Sequence, residues 1–266
     1  MLAIAGSDSG GGAGIQADLK ALARCGVHGM TAITAITAQN TREVSAVAAV
    51  APEMIVAQVR AVADDIGVDA VKIGMLGDEP TILAVEQALA LLAPSTPVVV
   101  DPVMVAESGA ALLQPAAADA LIARLLPRAT VATPNLAEAA ALAGAPGDDA
   151  AALARAVHRL GPDAVVVTGG HREEATDVFY DGTRLEAIPG ERFAAGASHG
   201  SGCTHSSALA AHLALGCSPL QAARHAREIA GEAVRRGRRD LGAGAGPVDA
   251  VGIDPVRVAG TASPLS

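Results

Sequence analysis

Short apolar runs alternate with longer segments of helical periodicity along the whole chain. Leu2 to Ala5, Pro97 to Val100 and Ala164 to Val167 are apolar throughout, as in strands buried on both faces of a parallel sheet. Met30 to Ala38, Val44 to Val50 (at an edge), Asp69 to Ile73 and Ala129 to Ala132 read as further strands. Between them, apolar spacing predicts helices over Ile15 to Cys25, Pro52 to Asp65, Thr81 to Leu92, Ala116 to Leu126 and Asp149 to Leu160, then over about residues 203–215 and 219–236. Asp181-Gly182 predicts a hairpin turn within Val178 to Thr183. Strands alternating with helices imply a mostly parallel sheet covered on both faces and joined by right-handed crossovers. No repeat or linker divides the chain, so the expectation is one domain over residues 1–258 and an irregular tail over 259–266.

Composition narrows the function. The 266 residues are 51% hydrophobic, enough for a substantial core, and the net charge of −9 comes with no basic stripe and 1% aromatic residues. Nucleic acid and anionic membrane are therefore not expected as partners, and a small molecule is. Cys25, Cys203 and Cys217 are odd in number and lack metal-ligand spacing, which points away from disulfides and zinc. The first residues resemble neither a signal peptide nor a membrane span, so the expected location is cytoplasmic.

Candidate chemistry gathers where predicted strands end. Leu2 to Ala5 leads into a glycine loop, Gly6 to Gly14, whose Gly12-Ala13-Gly14-Ile15-Gln16-Ala17 matches a dinucleotide-binding pattern. The next β-like run, however, ends in Gln39-Asn40-Thr41 instead of a ribose-binding acid, and an amide suits a heterocycle better. Lys72 is one of only two lysines among 19 basic residues, which hints at a need for a compact ammonium. Asp101 closes an apolar strand, where parallel sheets bind ligands. Asn135 and Glu138, three apart at a helix start, suit either a hydrated magnesium ion or a reciprocal helix cap. Thr168-Gly169-Gly170-His171 sets a hydroxyl and glycines at another strand end. Gly200-Ser201-Gly202-Cys203-Thr204 opens a helix: its amides suit an anion, and the same field would favour a Cys203 thiolate. His28, His158, His205, His212 and His225 read as surface or packing residues.

Taken in order, these blocks resemble the hydroxymethylpyrimidine and phosphomethylpyrimidine kinases of thiamine biosynthesis, within the ribokinase-like superfamily. They are Ala5-Gly6-Ser7-Asp8 with Gly11 to Lys20, Thr37 to Thr41, Lys72 to Leu76, Asp101 to Met104, Thr133 to Leu136, Thr168 to His171, and His199 to Thr204. The resemblance implies a three-layer α/β/α sandwich with a mostly parallel central sheet of about nine strands, an ATP-dependent and magnesium-dependent kinase, and a homodimer. It implies an aminopyrimidine pocket of Gly6, Asp18, Gln39, Met75 and Val103. ATP would meet Asp101, Thr168, Gly170 and Asn135, with Asn135 and Glu138 serving the metal. Cys203 would be the catalytic base beside an anion hole of Gly200, Ser201 and Gly202.

Three departures stand out. Glu107-Ser108-Gly109-Ala110 replaces the family's usual Lys-Ser-Gly-Asp, which bears on the second phosphorylation. Ala197-Ser198 replaces Asn-Thr before the anion turn, and a common proline is missing at Ser9-Gly10. Two other readings remain open: a pyridoxal or pyridoxine kinase of the same superfamily, and a non-catalytic binder of thiamine precursors.

Overall fold

The structure is a computed structural model and describes residues 1–106, 109–169, 175–193 and 196–253. In chain order its elements are β1 (Leu2–Ala5), α1 (Gly14–Arg24), β2 (Met30–Ile33), β3 (Ala35–Gln39), β4 (Val44–Ala49), α2 (Pro52–Asp65), β5 (Val71–Ile73), α3 (Glu79–Leu89) and β6 (Val98–Val100). Then follow α4 (Pro115–Ala120), a π-helical turn (Leu121–Leu125), a 3-10 turn (Leu126–Arg128), β7 (Val131–Ala132), α5 (Leu136–Ala143), α6 (Ala150–His158) and β8 (Ala164–Val167). The chain continues through β9 (Asp177–Tyr180), β10 (Leu185–Ile188), α7 (Ser201–Ala214) and α8 (Pro219–Arg235).

Eight strands form one sheet in the order β10-β9-β8-β7-β6-β5-β1-β2. From β2 to β8 all pairings are parallel, and the β9–β10 hairpin closes one edge antiparallel. The apolar strands alternate as a pleat demands. Val98 and Val100 face a core shared with α2, α3 and α6, whereas Val99 faces α1, α7 and α8. The expected three-layer sandwich is therefore present. Fully buried Ala208, Ala210 and Ala211 let α7 lie close against the sheet.

One expected element divides. The run from Met30 to Ala38 is two strands: β2 pairs with β1 in the main sheet, while β3 leaves it and pairs antiparallel with β4 in a separate two-stranded sheet. The break falls at Thr34, whose hydroxyl donates to the Met75 carbonyl at 2.8 Å. Periodicity could not mark it, because both halves are β-like. The expected hairpin forms, with Asp181 Oδ1 accepting from the Thr183 and Arg184 amides at 3.1 and 2.7 Å. The helix expected near residue 203 begins at Ser201, which places Cys203 in its first turn. The expected tail over 259–266 lies outside the described residues.

Parallel strands all end at the same edge of their sheet. Gly6, Met75, Asp101, Thr133 and Thr168 thus meet within a few residues of the strand termini, and the antiparallel β9 adds Asp177 from its start.

Candidate active site

A cavity of about 430 Å³ opens along that edge. Its lining includes Gly6, Gln39, Met75 and Val103, then Asp101, Asn135, Glu138 and Thr168, and also Gly200, Ser201, Gly202 and Cys203. Asp18 is not among the lining residues. Its carboxylate is fully buried, where it accepts from Lys72 Nζ and from Ser207 Oγ at 2.8 Å each. Gly170, His171 and Glu107 lie outside the described residues.

The turn before α7 is set by backbone geometry. Gly200 has φ +85°, and a Cβ there would stand 1.8 Å from the Gly12 carbonyl oxygen, so only glycine fits. No side chain caps the helix, which leaves its positive end facing the cavity. Gly14, at φ +56°, meets the same constraint: a Cβ would come within 2.3 Å of the Gly6 carbonyl. The glycine loop and the anion turn are therefore in direct backbone contact.

The expected Cys203 thiolate is not supported by its surroundings. Burial, with the charges of Asp18 and Asp101, pushes the thiol up to about 12, although Lys72 and the Gly14 amide pull it down. The helix end alone does not overcome that. Lys72, whose side chain is fully buried, is near enough to the thiol for the two to act on each other's charge. Burial alone would lower it, but Asp18, Cys203 and Asp101 together hold its ammonium above the usual range. A compact point charge in so tight a space accounts for the retained lysine.

Two carboxylates, Asp101 and Glu138, are near enough to interact. Burial pushes Asp101 up, opposed by Lys72 and by the Ser206 hydroxyl, which donates at 2.8 Å. Burial and then the Asp101 charge push Glu138 up to about 7. Asn135 and Glu138 do form the reciprocal cap: Glu138 Oε2 accepts from the Asn135 amide, and Asn135 Oδ1 from the Glu138 amide, each at 2.9 Å. Among the described residues no group of three or more His, Cys, Asp or Glu forms a metal cage.

Two aspartate–histidine pairs were not read from the sequence as functional. Asp8 Oδ1 accepts from the Gly10 amide, and its Oδ2 from the amides of Gly12 and Ala13, at 2.8, 3.0 and 2.8 Å. His199 Nε2 lies 2.9 Å from the same Oδ2. Burial opposes ionisation of Asp8, but His199 and the loop amides outweigh it and hold the carboxyl below its usual range, so the ring nitrogen is the donor. The second pair corrects the reading of His205 as an ordinary packing residue: it is buried, lines the cavity and stands 3.1 Å from Asp177. Asp177 also accepts from the Gly169 amide at 2.8 Å and lies 3.8 Å from Arg227. Asp8 was legible as the acid inside a glycine loop, but nothing local marked His205, Asp177 or Arg227.

Comparison with known proteins identifies the family. Residues 8–249 match the family model described as phosphomethylpyrimidine kinase. A hydroxymethylpyrimidine/phosphomethylpyrimidine kinase of Rhizobium meliloti is 51% identical over 254 residues, covering 93% of this chain and 95% of the relative. An ADP complex of Bacillus subtilis pyridoxal kinase has a TM-score of 0.84 at 40% identity, covering 93% of this chain and 95% of that one. A phosphomethylpyrimidine kinase from Clostridium difficile has a TM-score of 0.75 at 40% identity, covering 85% and 95%. With its ribokinase-like sandwich and a match across nearly its whole length, the chain belongs to the phosphomethylpyrimidine kinase family.

Proposed function

We propose that this chain is an ATP-dependent kinase that phosphorylates 4-amino-5-hydroxymethyl-2-methylpyrimidine and then its monophosphate, giving the diphosphate used in thiamine biosynthesis. The observation that carries this reading is that one cavity joins an amide-bearing apolar pocket to an uncapped helix end with paired carboxylates beside it.

The pocket suits a small aromatic ring. A Cβ on Gly6 would meet Met75 Cε at 2.5 Å, so the bare backbone and the thioether together form a flat wall. Gln39 offers both a donor and an acceptor, which matches a ring nitrogen beside an exocyclic amine. Asp18, expected at this pocket, acts from behind it by fixing Lys72. At the anion turn, the amides of Gly200 to Cys203 would hold the transferring phosphoryl group, and most of the acceleration comes from such positioning and charge neutralisation.

Asp101 and Glu138 fit a hydrated magnesium ion carried in with the nucleotide. Two buried carboxylates, of which Asp101 raises the proton affinity of Glu138, are relieved by a nearby divalent cation, and such sites use one or two carboxylates plus phosphates without a full protein cage. When bound, the ion screens charge on the phosphates. Cys203 holds its proton in the free protein; Lys72 draws that affinity down, and offsetting the Asp101 charge would draw it down further, so that once the thiol has released its proton to solvent the thiolate can take the alcohol proton. A Cys203→Ala enzyme should lose on the order of 10²–10⁴-fold in kcat, and near-normal turnover would remove the base role.

Phosphorus NMR of a reaction with ATP, magnesium and the hydroxymethylpyrimidine tests the reading. Monophosphate followed by diphosphate is expected; monophosphate alone would confine the reading to the first step, the outcome that Glu107 would explain. No pyrimidine phosphate alongside rapid pyridoxal phosphorylation would favour the second reading, for which the similarity to a pyridoxal kinase speaks. No ADP release with either substrate would favour a binder. We also assign this chain to a cytoplasmic homodimer. The two-stranded sheet leaves Ile36 and Val47 50% and 54% exposed, which suits burial against a second copy, and light scattering would test it. Among the described residues no helix is long and apolar enough to cross a membrane.

A further inference from the structure

The residues on either side of the reacting groups are joined by a short path that neither half needs for its own chemistry. On the pyrimidine side, the Ser9 hydroxyl donates to the Gln39 carbonyl at 2.7 Å and accepts from the Gln39 amide at 2.8 Å. Thr37 Oγ1 donates to the Ser7 carbonyl at 2.8 Å, so the start of the glycine loop is tied to β3 twice. Between Ser7 and Ser9, Asp8 gathers three amides of its own loop. Its remaining contact crosses to His199, the residue before the anion turn.

The crossing is as tight as it is polar. A Cβ on Gly12 would stand 2.2 Å from His199 Cδ2, and one on Gly200 would strike the Gly12 carbonyl. His199 is also fixed in its own backbone, which donates to the Gly246 carbonyl at 3.3 Å and accepts from the Val248 amide at 3.0 Å. The ring therefore cannot follow the glycine loop without moving the anion turn, and the reverse holds equally.

We propose that the Asp8–His199 contact is a positioning device that couples the two binding events, so that a phosphate donor on the anion turn tightens the pyrimidine pocket. The inference rests on the kinase reading above. Because the two loops are locked together, any shift of residues 199–203 toward a bound phosphate carries His199, Asp8, Ser9 and the backbone of Gln39 with it. A second ligand then meets a loop already in its binding position, and the free energy of that shift is met only once. The coupling is reciprocal: the pyrimidine should tighten nucleotide binding by the same factor.

The test is calorimetric titration of the full chain with the hydroxymethylpyrimidine, with and without magnesium and the non-hydrolysable analogue AMP-PCP. Wild type should bind the pyrimidine about 10-fold more tightly with the analogue present, within the usual range for such coupling. In His199→Leu the ratio should fall below about 2-fold, while His199→Gln, which keeps a donor at similar reach, should retain most of it. A residue that only supported the fold would change both affinities and leave their ratio alone. Ser9→Ala removes the direct link to Gln39 at an exposed position without disturbing a buried charge and leaves the Thr37–Ser7 tie in place; it should lower the ratio in part and serves should His199→Leu not fold. An unchanged ratio in the folded variants, or a wild type that binds both ligands independently, overturns the coupling and leaves the kinase reading standing. A wild type that binds neither pyrimidine nor nucleotide overturns both.

Discussion

The two aspartate–histidine pairs line one cavity from strands well apart in the sheet, Asp8 just after β1 and Asp177 at the start of β9, and are finished to different degrees. Asp8 has both oxygens in use, with three loop amides and the His199 ring all well placed. Asp177 and His205 are close enough for the ring to lower the carboxyl's proton affinity, but they are less well aligned: Asp177 Oδ2, both ring nitrogens of His205 and Nε of the neighbouring Arg227 are buried without a well-formed hydrogen bond. A buried polar group left unpaired is costly, so an end that tolerates several of them is one that still has adjustments to make. The glycine-loop end is preorganised, and the β8–β9 end has slack. That difference matches a small rigid ring at one end and a longer, jointed nucleotide at the other.

The largest effect should follow from breaking the tight end. Gly200→Ala forces a Cβ into the Gly12 carbonyl and a non-glycine residue into φ +85°. Turnover should fall by on the order of 10²–10³-fold, as when a transition-state donor is displaced, measured by ADP release at saturating substrates. The melting temperature should fall as well, because the strained backbone costs about 1–3 kcal/mol. A variant with normal turnover would mean that the loops need not touch.

Comparing two isosteric changes sharpens the contrast. In Asp8→Asn, an amide NH₂ replaces an acceptor that meets two backbone amides and a ring donor, and no rotation of the side chain can satisfy all of them. A loss of about 2–3 kcal/mol in denaturant unfolding is expected. In Asp177→Asn one oxygen can still accept from Gly169 while the NH₂ faces His205, whose ring can switch tautomer to accept it. There the loss should be nearer to about 1 kcal/mol. Equal losses would mean that the loose end is as tightly specified as the other.

What the sequence made legible follows the same division. Gly6, Gly12, Gly200, Asp101 and Thr168 carry local signatures, because close backbone approach demands glycine and strand ends interrupt apolar runs. Their convergence then follows from a parallel sheet alone. Asp18 was placed in the pyrimidine pocket by resemblance, but its register within α1 turns it toward Lys72 and Ser207, which depends on how α1 packs against α7. His205 and Arg227 stand on different helices and meet Asp177 only through the packing of α7, α8 and β9; no spacing along the chain encodes that. The Cys203 environment was misread for a related reason. A helix end is visible in sequence, whereas two carboxylates buried around it come from distant segments.

Acidity probes the Asp101–Glu138 pair, proposed above to meet magnesium, with opposite signs for binding and stability. Glu138 is raised to about 7 by burial and by Asp101, so the folded protein takes up a proton between the unfolded value and about pH 7 where the unfolded chain does not. Its contribution to stability is then favourable on the acid side and is lost as pH rises through 7, by at most about 3 kcal/mol. Magnesium affinity should move the other way, weakening up to about 10-fold per pH unit below 7 as the proton competes for the carboxylate. Glu138→Gln should flatten both trends. A magnesium requirement that does not change between pH 8 and pH 6 would remove Glu138 from the metal site.

The smallest change is the most discriminating. His205→Leu deletes two ring nitrogens that lack well-formed hydrogen bonds and keeps comparable apolar bulk on α7. Asp177 would still hold the Gly169 amide and remain within reach of Arg227, so its charge is not abandoned. Replacing a poorly satisfied buried polar group by an apolar one is often close to neutral, and the expected change in unfolding free energy is within about 1 kcal/mol. The corresponding His199→Leu change removes a well-formed donor from a carboxylate that cannot find another, and should cost more. What His205→Leu should alter is the apparent KM for ATP, by about 2–5-fold with the pyrimidine KM unchanged, since only the loop around Thr168 and Gly169 loses a restraint. If His205→Leu instead destabilised the protein more than His199→Leu, the ranking of the two ends would be reversed, and the slack at the β8–β9 end would have to be filled by water or by a contact that Arg227 makes only there.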